Sequence, residues 1–232
     1  MPAPRFTPKT LAFLRALKRN NDREWFKARR EEYDAVVRQP MVAFIERFAE
    51  DFRAFAPELV ASERASLYRI YRDTRFSADK SPLKTHIAAI FPWKGLPKHE
   101  GAGLYFHVSP TEVWAGGGMY MPQSAQLQRV REHIAASHRR FRAIVESPAF
   151  RRRTGGLDGE RLRRVPHGFP PDHPAAEYLN YRQFLAGHEY PASVATSPRF
   201  YATLLALFRE IAPLVAFLNA PLLRAPKDTL RP

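Results

Sequence analysis

The segment from residue 67 to residue 120 constrains the fold more than any other part of this 232-residue chain. Apolar and polar residues alternate there with the period of two that is typical of strands. Strands are predicted at residues 67–76, 86–91, 104–109 and 112–120. Their connections are short and contain no helix, which favours an antiparallel sheet over a doubly wound parallel one.

Helical patterns precede this segment. A capping hydroxyl followed by proline predicts a helix that begins after Thr7. Asn21 with Glu24 resembles a capping box for a second helix. Large apolar residues then recur every three or four positions over residues 33–55, and Pro40 predicts a kink or a break within that helix.

Helical patterns also follow the predicted strands. We expect one helix over residues 122–145, a short one that begins at Pro148 and ends at Gly155, and a last one from Pro198. Residues 224–232 are predicted to be a disordered tail. The chain is therefore predicted to form a single α+β domain over residues 1–223, with an antiparallel sheet of about four or more strands packed against N-terminal and C-terminal helices.

Composition limits the class of protein. Apolar residues make up 45% of the chain, which is enough for a sizeable core, and the absence of cysteine excludes disulfides and thiolate chemistry. The N-terminus lacks the order of a secretory signal. The most apolar run, residues 204–218, is interrupted by Arg209, Glu210 and Pro213 and is typical of a buried helix. We expect a cytoplasmic protein with no membrane partner.

The formal net charge of +14 favours an anionic partner, such as a small anionic molecule or nucleic acid bound without sequence preference. The densest basic zone contains Arg139, Arg140, Arg142, Arg151, Arg152, Arg153, Arg161, Arg163 and Arg164. The alternative is a surface bias, because nearly all cations are arginine in a chain that is also rich in alanine and proline. Both interpretations stay open.

Residues 69–86 hold the strongest candidate site. If the segment is a strand, Arg69, Tyr71, Asp73 and Arg75 share one face. Arginine suits a phosphate or carboxylate, and Asp73 would orient it or accept a proton. The alternative is an Arg–Asp–Arg network that only stabilises the sheet.

The turn that follows adds further candidates. Asp79 is placed to bond backbone amides, so Lys80 and Lys84 would project from a constrained loop as an anion clamp. His86 begins the next predicted strand and is a second candidate for proton transfer. An ordinary solvated turn is the competing interpretation.

The glycine run Gly116, Gly117 and Gly118 is the second candidate ligand contact. Three glycines allow a ligand to approach the backbone, although the spacing matches neither a Walker motif nor a dinucleotide fingerprint. A strand bend that requires glycine explains the run equally well.

The sequence contains no recognisable metal-binding or serine nucleophile motif. The histidines form no ligand set, and we predict no metal site, although Asp73, Asp79 and His86 would suit a hard or borderline cation. No serine nucleophile elbow is present. The sequence assigns no cofactor and no oligomeric state.

The chain resembles one known family along nearly its whole length, from about residue 6 to residue 222. The resemblance rests on NNDREWFKARREEYDAVVRQP, YRIYRDTRFSADKSPLKTHIAAIF, AGGGMYMP, RVPHGFPPDHPAAEYL and a late FLN. These segments are similar to successive signatures of the domain of unknown function 2461 family, found in bacteria and fungi. The resemblance implies a single domain and supports the choice of the central stretch, but it implies no activity and no catalytic residue. The family usually has tyrosine where this chain has Leu83, so no mechanism based on that hydroxyl carries over.

Three functions follow from these observations. The first is a pocket for a phosphorylated or carboxylated small molecule, with Arg69, Arg75, Asp79, Lys80 and Lys84 as ligand contacts and an enzymatic role left open. The second is a basic nucleic-acid-binding accessory protein that uses the arginine-rich zone. The third is a structural domain without a small ligand.

Overall fold

The computed structural model describes residues 3–223 of the chain. The tail predicted at residues 224–232 lies outside the described residues. The N-terminal helices are α1 (Pro8–Arg19), α2 (Arg23–Lys27), α3 (Arg30–Tyr33), a π-helical segment (Asp34–Arg38), α4 (Gln39–Phe52) and α5 (Glu63–Ser66).

The first helix begins where the sequence predicted, but the cap of the second was predicted at the wrong residue. Thr7 is the N-cap of α1. The side chain of Asp22, not of Asn21, caps α2 by accepting hydrogen bonds from the backbone N–H groups of Glu24 and Trp25 at 2.8 and 2.9 Å. Asn21 is therefore free to bond elsewhere.

The break predicted at Pro40 takes the form of the π-helical segment that precedes α4. Proline has no N–H, so it cannot donate to the carbonyl of Val36, four residues earlier. The hydroxyl of Thr10, which is fully buried, donates to that carbonyl at 2.6 Å instead. A side chain of α1 thus bonds a backbone carbonyl to which the proline cannot donate.

The sheet has four antiparallel strands in the order β1-β2-β3-β4. They are β1 (Ile87–Phe91), β2 (Gly103–Val108), β3 (Glu112–Met119) and β4 (Phe184–Pro191). The first three confirm predicted strands within one residue at each end. The α+β class and the antiparallel sheet are confirmed as well.

The strand predicted at residues 67–76 is wrong. This segment makes only isolated bridges, from Leu67 to Ala89 and from Tyr71 to Leu83. Past these bridges the Asp73 carboxylate accepts a hydrogen bond from the backbone N–H two residues later at 3.2 Å, which turns the chain away from an extended path. The fourth strand is β4, which the sequence analysis did not assign.

The later helices are α6 (Ser124–Ala136), α7 (His138–Val145), α8 (Pro148–Thr154), α9 (Ala176–Leu179), a 3₁₀ segment (Ala192–Thr196) and α10 (Phe200–Leu223). The single helix predicted over residues 122–145 is wrong, because Ser137 leaves the helical conformation at φ −125° and ψ 32°. Gly155 ends α8 with a φ of 78°, as predicted.

The described residues divide into two compact units. The first contains the chain up to Phe91 with Tyr105–Ala115 and His188–Leu207, and the second contains Pro92–Leu104, Gly116–Gly187 and the chain from Phe208. The single domain over residues 1–223 stays a prediction.

Closely packed phenylalanine rings form the core of the first unit. Phe48 and Phe52 of α4 lie with ring centroids 5.3 Å apart, and both contact Phe91 of β1, at 5.2 and 5.0 Å. Phe44 contacts Phe106 of β2 at 5.7 Å. The large apolar residues that recur every three or four positions in the sequence therefore form the buried face of α4.

Aromatic rings also form the core of the second unit. The ring of Phe141 on α7 lies 5.1 Å from Tyr178, 6.2 Å from Phe184 and 5.2 Å from Phe217. These residues come from α7, α9, β4 and α10.

By length and composition alone, α10 could cross a membrane. Its most apolar 18-residue window is 56% buried inside the protein, and core helices of soluble proteins pass the same test. The cytoplasmic location and the absence of a membrane partner stay predictions.

Candidate functional site

The charged residues of the central stretch pair largely with one another at the surface. The Asp73 carboxylate accepts two hydrogen bonds from the Arg75 guanidinium, at 3.0 and 2.8 Å. Arg72 forms an ion pair with Asp79. Hydrogen bonds from Arg75 lower the pKa of Asp73 to about 2, and hydrogen bonds from Ser81 and then from Arg72 lower the pKa of Asp79. Both carboxylates are anionic at neutral pH and already bound to a guanidinium.

The two lysines of the stretch contact other groups, and Arg69 acts on Asp73 only through its charge. Lys80 donates to a backbone carbonyl of its own loop at 3.0 Å. The Lys84 ammonium lies 4.9 Å from the centroid of the Tyr68 ring. Arg69 is exposed, and its charge contributes to the low pKa of Asp73.

His86 lies beside another histidine. Its ring centroid is 5.1 Å from that of His107, and within residues 3–223 no hydrogen bond joins it to Asp73. Burial, followed by the charges of His107 and Lys84, lowers the pKa of His86 to about 4. The imidazole is therefore neutral at physiological pH.

The glycine run is buried between neighbouring strands. A Cβ on Gly117 would lie 2.7 Å from the backbone oxygen of Gly103, and one on Gly118 would lie 2.0 Å from that of Phe184. Close approach of backbone to backbone accounts for these two glycines. The site roles predicted for the glycine run and for the central stretch stay predictions.

A surface pocket of about 480 Å³ lies beside α2 in the first unit. Its lining residues are Arg23, Glu24, Phe26, Lys27, Arg30 and Tyr71. The Asp22 cap fixes the start of α2, and a spacing of four residues puts Arg23 and Lys27 on one helical face. The local fold of the segment thus presents two cations side by side.

The charge of the lining is mainly positive. Arg30 donates a hydrogen bond to Asp34 at 3.0 Å, which raises the pKa of the guanidinium. Within residues 3–223, Arg23 and Lys27 make no ion pair. Glu24 is the acid that lines the pocket. Two unpaired cations are consequently available to an anionic ligand.

Tyr71 is the residue of the central stretch that lines this pocket. Its ring packs edge-on against Phe26, with centroids 6.0 Å apart, and remains 44% exposed. Its backbone pairs with Leu83, whose N–H and C=O are both bonded by the side chain of Asn21, at 3.0 and 2.9 Å. The segment just before α2 and the central stretch are therefore held together. Leu83 is 1% exposed, in agreement with a packing role.

A second group of polar side chains lies on the sheet of the first unit. Tyr105 and His107 alternate with the buried residues of β2, and Glu112 begins β3. The Tyr105 hydroxyl lies 3.1 Å from Nδ1 of His107, and Nε2 of the same ring lies 3.7 Å from the Glu112 carboxylate. Burial raises the pKa of Tyr105 and lowers the pKa of His107, so both are uncharged at neutral pH.

Comparison with known proteins gives one match. The family model described as Conserved hypothetical protein (DUF2461) covers residues 9–217. The chain belongs to this family. That result confirms the resemblance seen in the sequence. No curated protein and no solved structure matches the chain.

In this DUF2461 protein, most of the pocket and the polar group on the sheet were not predicted from the sequence. Arg23, Lys27 and Arg30 recur at intervals of four and three residues, which is a visible helical-face signal. Tyr105 and His107 are the polar positions of an alternating strand whose apolar face had been identified. Within residues 3–223 no group of three or more acidic or histidine side chains is arranged to hold a metal ion.

Proposed function

We propose that the protein binds a small organic anion, carrying a phosphate or a carboxylate, in the pocket beside α2. The observation that carries this proposal is the lining itself. Three cations and one exposed aromatic ring face a single cavity of about 480 Å³. Ligand pockets typically span about 300–1,000 Å³, so this volume suits a ligand of metabolite size.

The cations differ in what they offer. Arg30 already shares its guanidinium with Asp34, so it provides a positioned but partly neutralised charge. Arg23 presents a planar fork that suits two oxygens of a phosphate or carboxylate. Lys27 adds a point charge one helical turn away. Together they favour a ligand with an anionic group at the α2 side of the pocket.

The aromatic residues of the pocket would bind the uncharged part of the ligand. Tyr71 leaves 44% of its surface exposed, while Phe26 beneath it is 1% exposed. An exposed ring supported by a buried one is suited to a planar or apolar ligand part. Glu24 would accept a hydrogen bond from a ligand hydroxyl or amine. The proposed ligand therefore combines an anion with a ring, as phosphorylated and carboxylated aromatic compounds and nucleotides do.

A thermal-shift screen tests this proposal. Phenyl phosphate, benzoate, mononucleotides and sugar phosphates would be added to the wild type, to Lys27→Glu and to Arg15→Glu. Arg15 is an exposed cation on α1 outside the pocket, so its reversal changes the net charge equally. We expect at least one anion to raise the melting temperature of the wild type and of Arg15→Glu, and to lose most of that effect in Lys27→Glu. Equal stabilisation of all three proteins would place anion binding outside this pocket, and stabilisation of none would favour a domain without a small ligand; either result contradicts the proposal.

Nucleic-acid binding is the second candidate, because the three arginines of α8 are all exposed. Arg153 lies only 3.9 Å from Glu210, so its charge is partly countered. Binding through Arg151 and Arg152 should weaken steeply with salt. Charge reversal at Arg151, Arg152 and Arg153 should abolish the retention of a labelled oligonucleotide, and full retention would remove this candidate.

A further inference from the structure

The polar face of the sheet in the first unit carries an arrangement that the anion pocket does not use. On β2, Leu104, Phe106 and Val108 are fully buried, whereas Tyr105 and His107 are only partly buried. Alternation along a strand places these two groups on opposite faces of the sheet. The partly buried face is thus the polar one.

Three side chains on this face form a chain of contacts. The Tyr105 hydroxyl lies 3.1 Å from Nδ1 of His107, which is hydrogen-bond distance. Nε2 of the same imidazole lies 3.7 Å from a Glu112 carboxylate oxygen, which is within ion-pair distance once the ring is protonated. When the phenol donates to Nδ1, the ring proton sits on Nε2 and points at Glu112. A nucleophile, a base and a carboxylate that orients the base are therefore in order.

The surroundings exclude part of the solvent without closing the face. The ring of Trp114 lies 5.9 Å from that of Tyr105, and Tyr68 lies 6.2 Å from it on another side. The side chains of His107 and Glu112 keep 19% and 41% of their surface exposed. Tyr105 itself is only partly buried, so its ring is positioned by aromatic contacts without being sealed from solvent.

We propose that Tyr105 is a nucleophile activated by His107, with Glu112 as a positioning residue, and that the site accepts an activated phosphoryl or acyl group. The phenolic oxygen attacks the electrophilic centre and forms a new bond to it. The phenol proton passes to Nδ1 of His107, and the leaving group departs with the electron pair of the bond that breaks. Glu112 stabilises the imidazolium that results. None of these residues lines the α2 pocket, so this proposal does not depend on anion binding there.

A tyrosine that reacts in this way has a distinctive dependence on pH. An ordinary tyrosine reacts through its phenolate, so its rate rises about tenfold per pH unit below its pKa near 10. Tyr105 needs a neutral His107 instead, so its rate rises as the imidazole loses its proton and then levels off.

Several neighbouring groups shift the pKa of the His107 imidazole. Burial lowers the pKa of His107, while the charges of Glu112 and Glu189 raise it. His86 packs against it, and the charge of Lys84 acts on His86. These groups set where the plateau begins but do not change its shape.

Labelling of the full chain with a fluorophosphonate, read by peptide mass spectrometry, tests the proposal. The leaving group is fluoride, and p-nitrophenyl acetate serves as the acyl arm. Tyr120 is the internal control, because it is 66% exposed. At pH 7 we expect at least one of the two reagents to modify Tyr105 about tenfold faster than Tyr120, since general-base assistance is typically worth about a hundredfold or more. Glu112→Gln should slow the reaction of Tyr105 by about tenfold and leave Tyr120 unchanged.

The outcomes distinguish an activated nucleophile from a hydrogen bond between Tyr105 and His107 that has only a structural role. A plateau in the pH profile of Tyr105, absent for Tyr120, supports the activated nucleophile. If both reagents modify Tyr105 no faster than Tyr120, or if its rate keeps rising tenfold per pH unit, the proposal is wrong. The Glu112 side chain is 41% exposed, so we expect the Glu112→Gln variant to fold.

Discussion

Two asparagine side chains hold the backbone of distant segments by the same pair of hydrogen bonds. Asn21 bonds the N–H and the C=O of Leu83 at 3.0 and 2.9 Å in the first unit. Asn219 bonds the N–H and the C=O of Ala102 at 2.8 and 2.9 Å in the second. An amide side chain carries a donor and an acceptor on separate atoms, so it satisfies both backbone groups at once.

Truncation of these amides should destabilise each unit. Asn219 is fully buried, so Asn219→Ala leaves two buried backbone groups unsatisfied and should lower the free energy of unfolding by about 2–4 kcal/mol. Asn21→Ala acts at a partly buried site and should cost about 1–2 kcal/mol. Urea denaturation of both variants checks this order. Asn20→Ala, which loses one exposed hydrogen bond, is the control and should change stability least.

His86 should make stability depend on pH. Its pKa is about 4 in the folded protein and about 6.5 when unfolded, because burial disfavours the charged ring. Between these values the unfolded chain binds more protons, so stability falls as pH drops from about 7 to 4 and the effect saturates below that.

The partial burial of the ring reduces the size of this effect to roughly 1–2 kcal/mol. Urea denaturation of the wild type and His86→Gln at pH 7 and pH 4 measures it. The wild type should lose about that much more stability than the variant on acidification. Parallel pH profiles of the two proteins would show that His86 does not titrate in this way.

At the scale of elements, the sequence predicted the strands and helices whose pattern of apolar residues is set by near neighbours along the chain. The strands β1, β2 and β3 and the buried face of α4 were found because alternation and helical periodicity are properties of neighbouring residues. The strand predicted at residues 67–76 is interrupted by a bend at Ile70, and beyond Tyr71 the Asp73 side chain accepts a hydrogen bond from the backbone N–H of Arg75, a competition that alternation does not reveal. The break at Ser137 lies within a continuous helical pattern and only Phe184 and Ala186 of β4 are buried, so periodicity revealed neither.

The glycine run gives an element-scale prediction. A Cβ on Gly118, which has a φ of 125°, would lie 2.0 Å from the backbone oxygen of Phe184 on β4. Gly118→Ala should therefore cost more than about 3 kcal/mol or prevent folding. Gly168 also has a positive φ, 93°, but nothing lies within 4 Å of the added carbon.

Gly168→Ala is accordingly the matched control and should cost about 1–2 kcal/mol from backbone strain alone. Thermal unfolding and soluble yield of the two variants compare them. Similar losses in both would mean that strain, and not the approach of β3 to β4, explains Gly118.

At the scale of the whole molecule, the sequence located one side of the proposed pocket and not the other. The central stretch was chosen for its charges, yet it contributes Tyr71, while Arg23, Lys27 and Arg30 come from some forty residues earlier. The Asn21 hydrogen bonds to Leu83 and the contact between Phe26 and Tyr71 join these segments, and no local pattern encodes them. The anionic partner suggested by the net charge of +14 stays a prediction, and the two unpaired cations of the pocket are the place that we propose for it.

Mapping of backbone amide shifts on addition of phenyl phosphate tests the central claim most directly. This probe carries the anion and the ring that the pocket is proposed to hold, and a two-dimensional ¹H–¹⁵N spectrum covers every candidate region of the chain at once. We expect saturable shifts that concentrate on Arg23–Lys27, Arg30 and Tyr71 and that disappear in the double variant Arg23→Ala/Lys27→Ala. Shifts centred on Arg151, Arg152 and Arg153, on the Asp73 loop, or unchanged in the double variant would contradict the account.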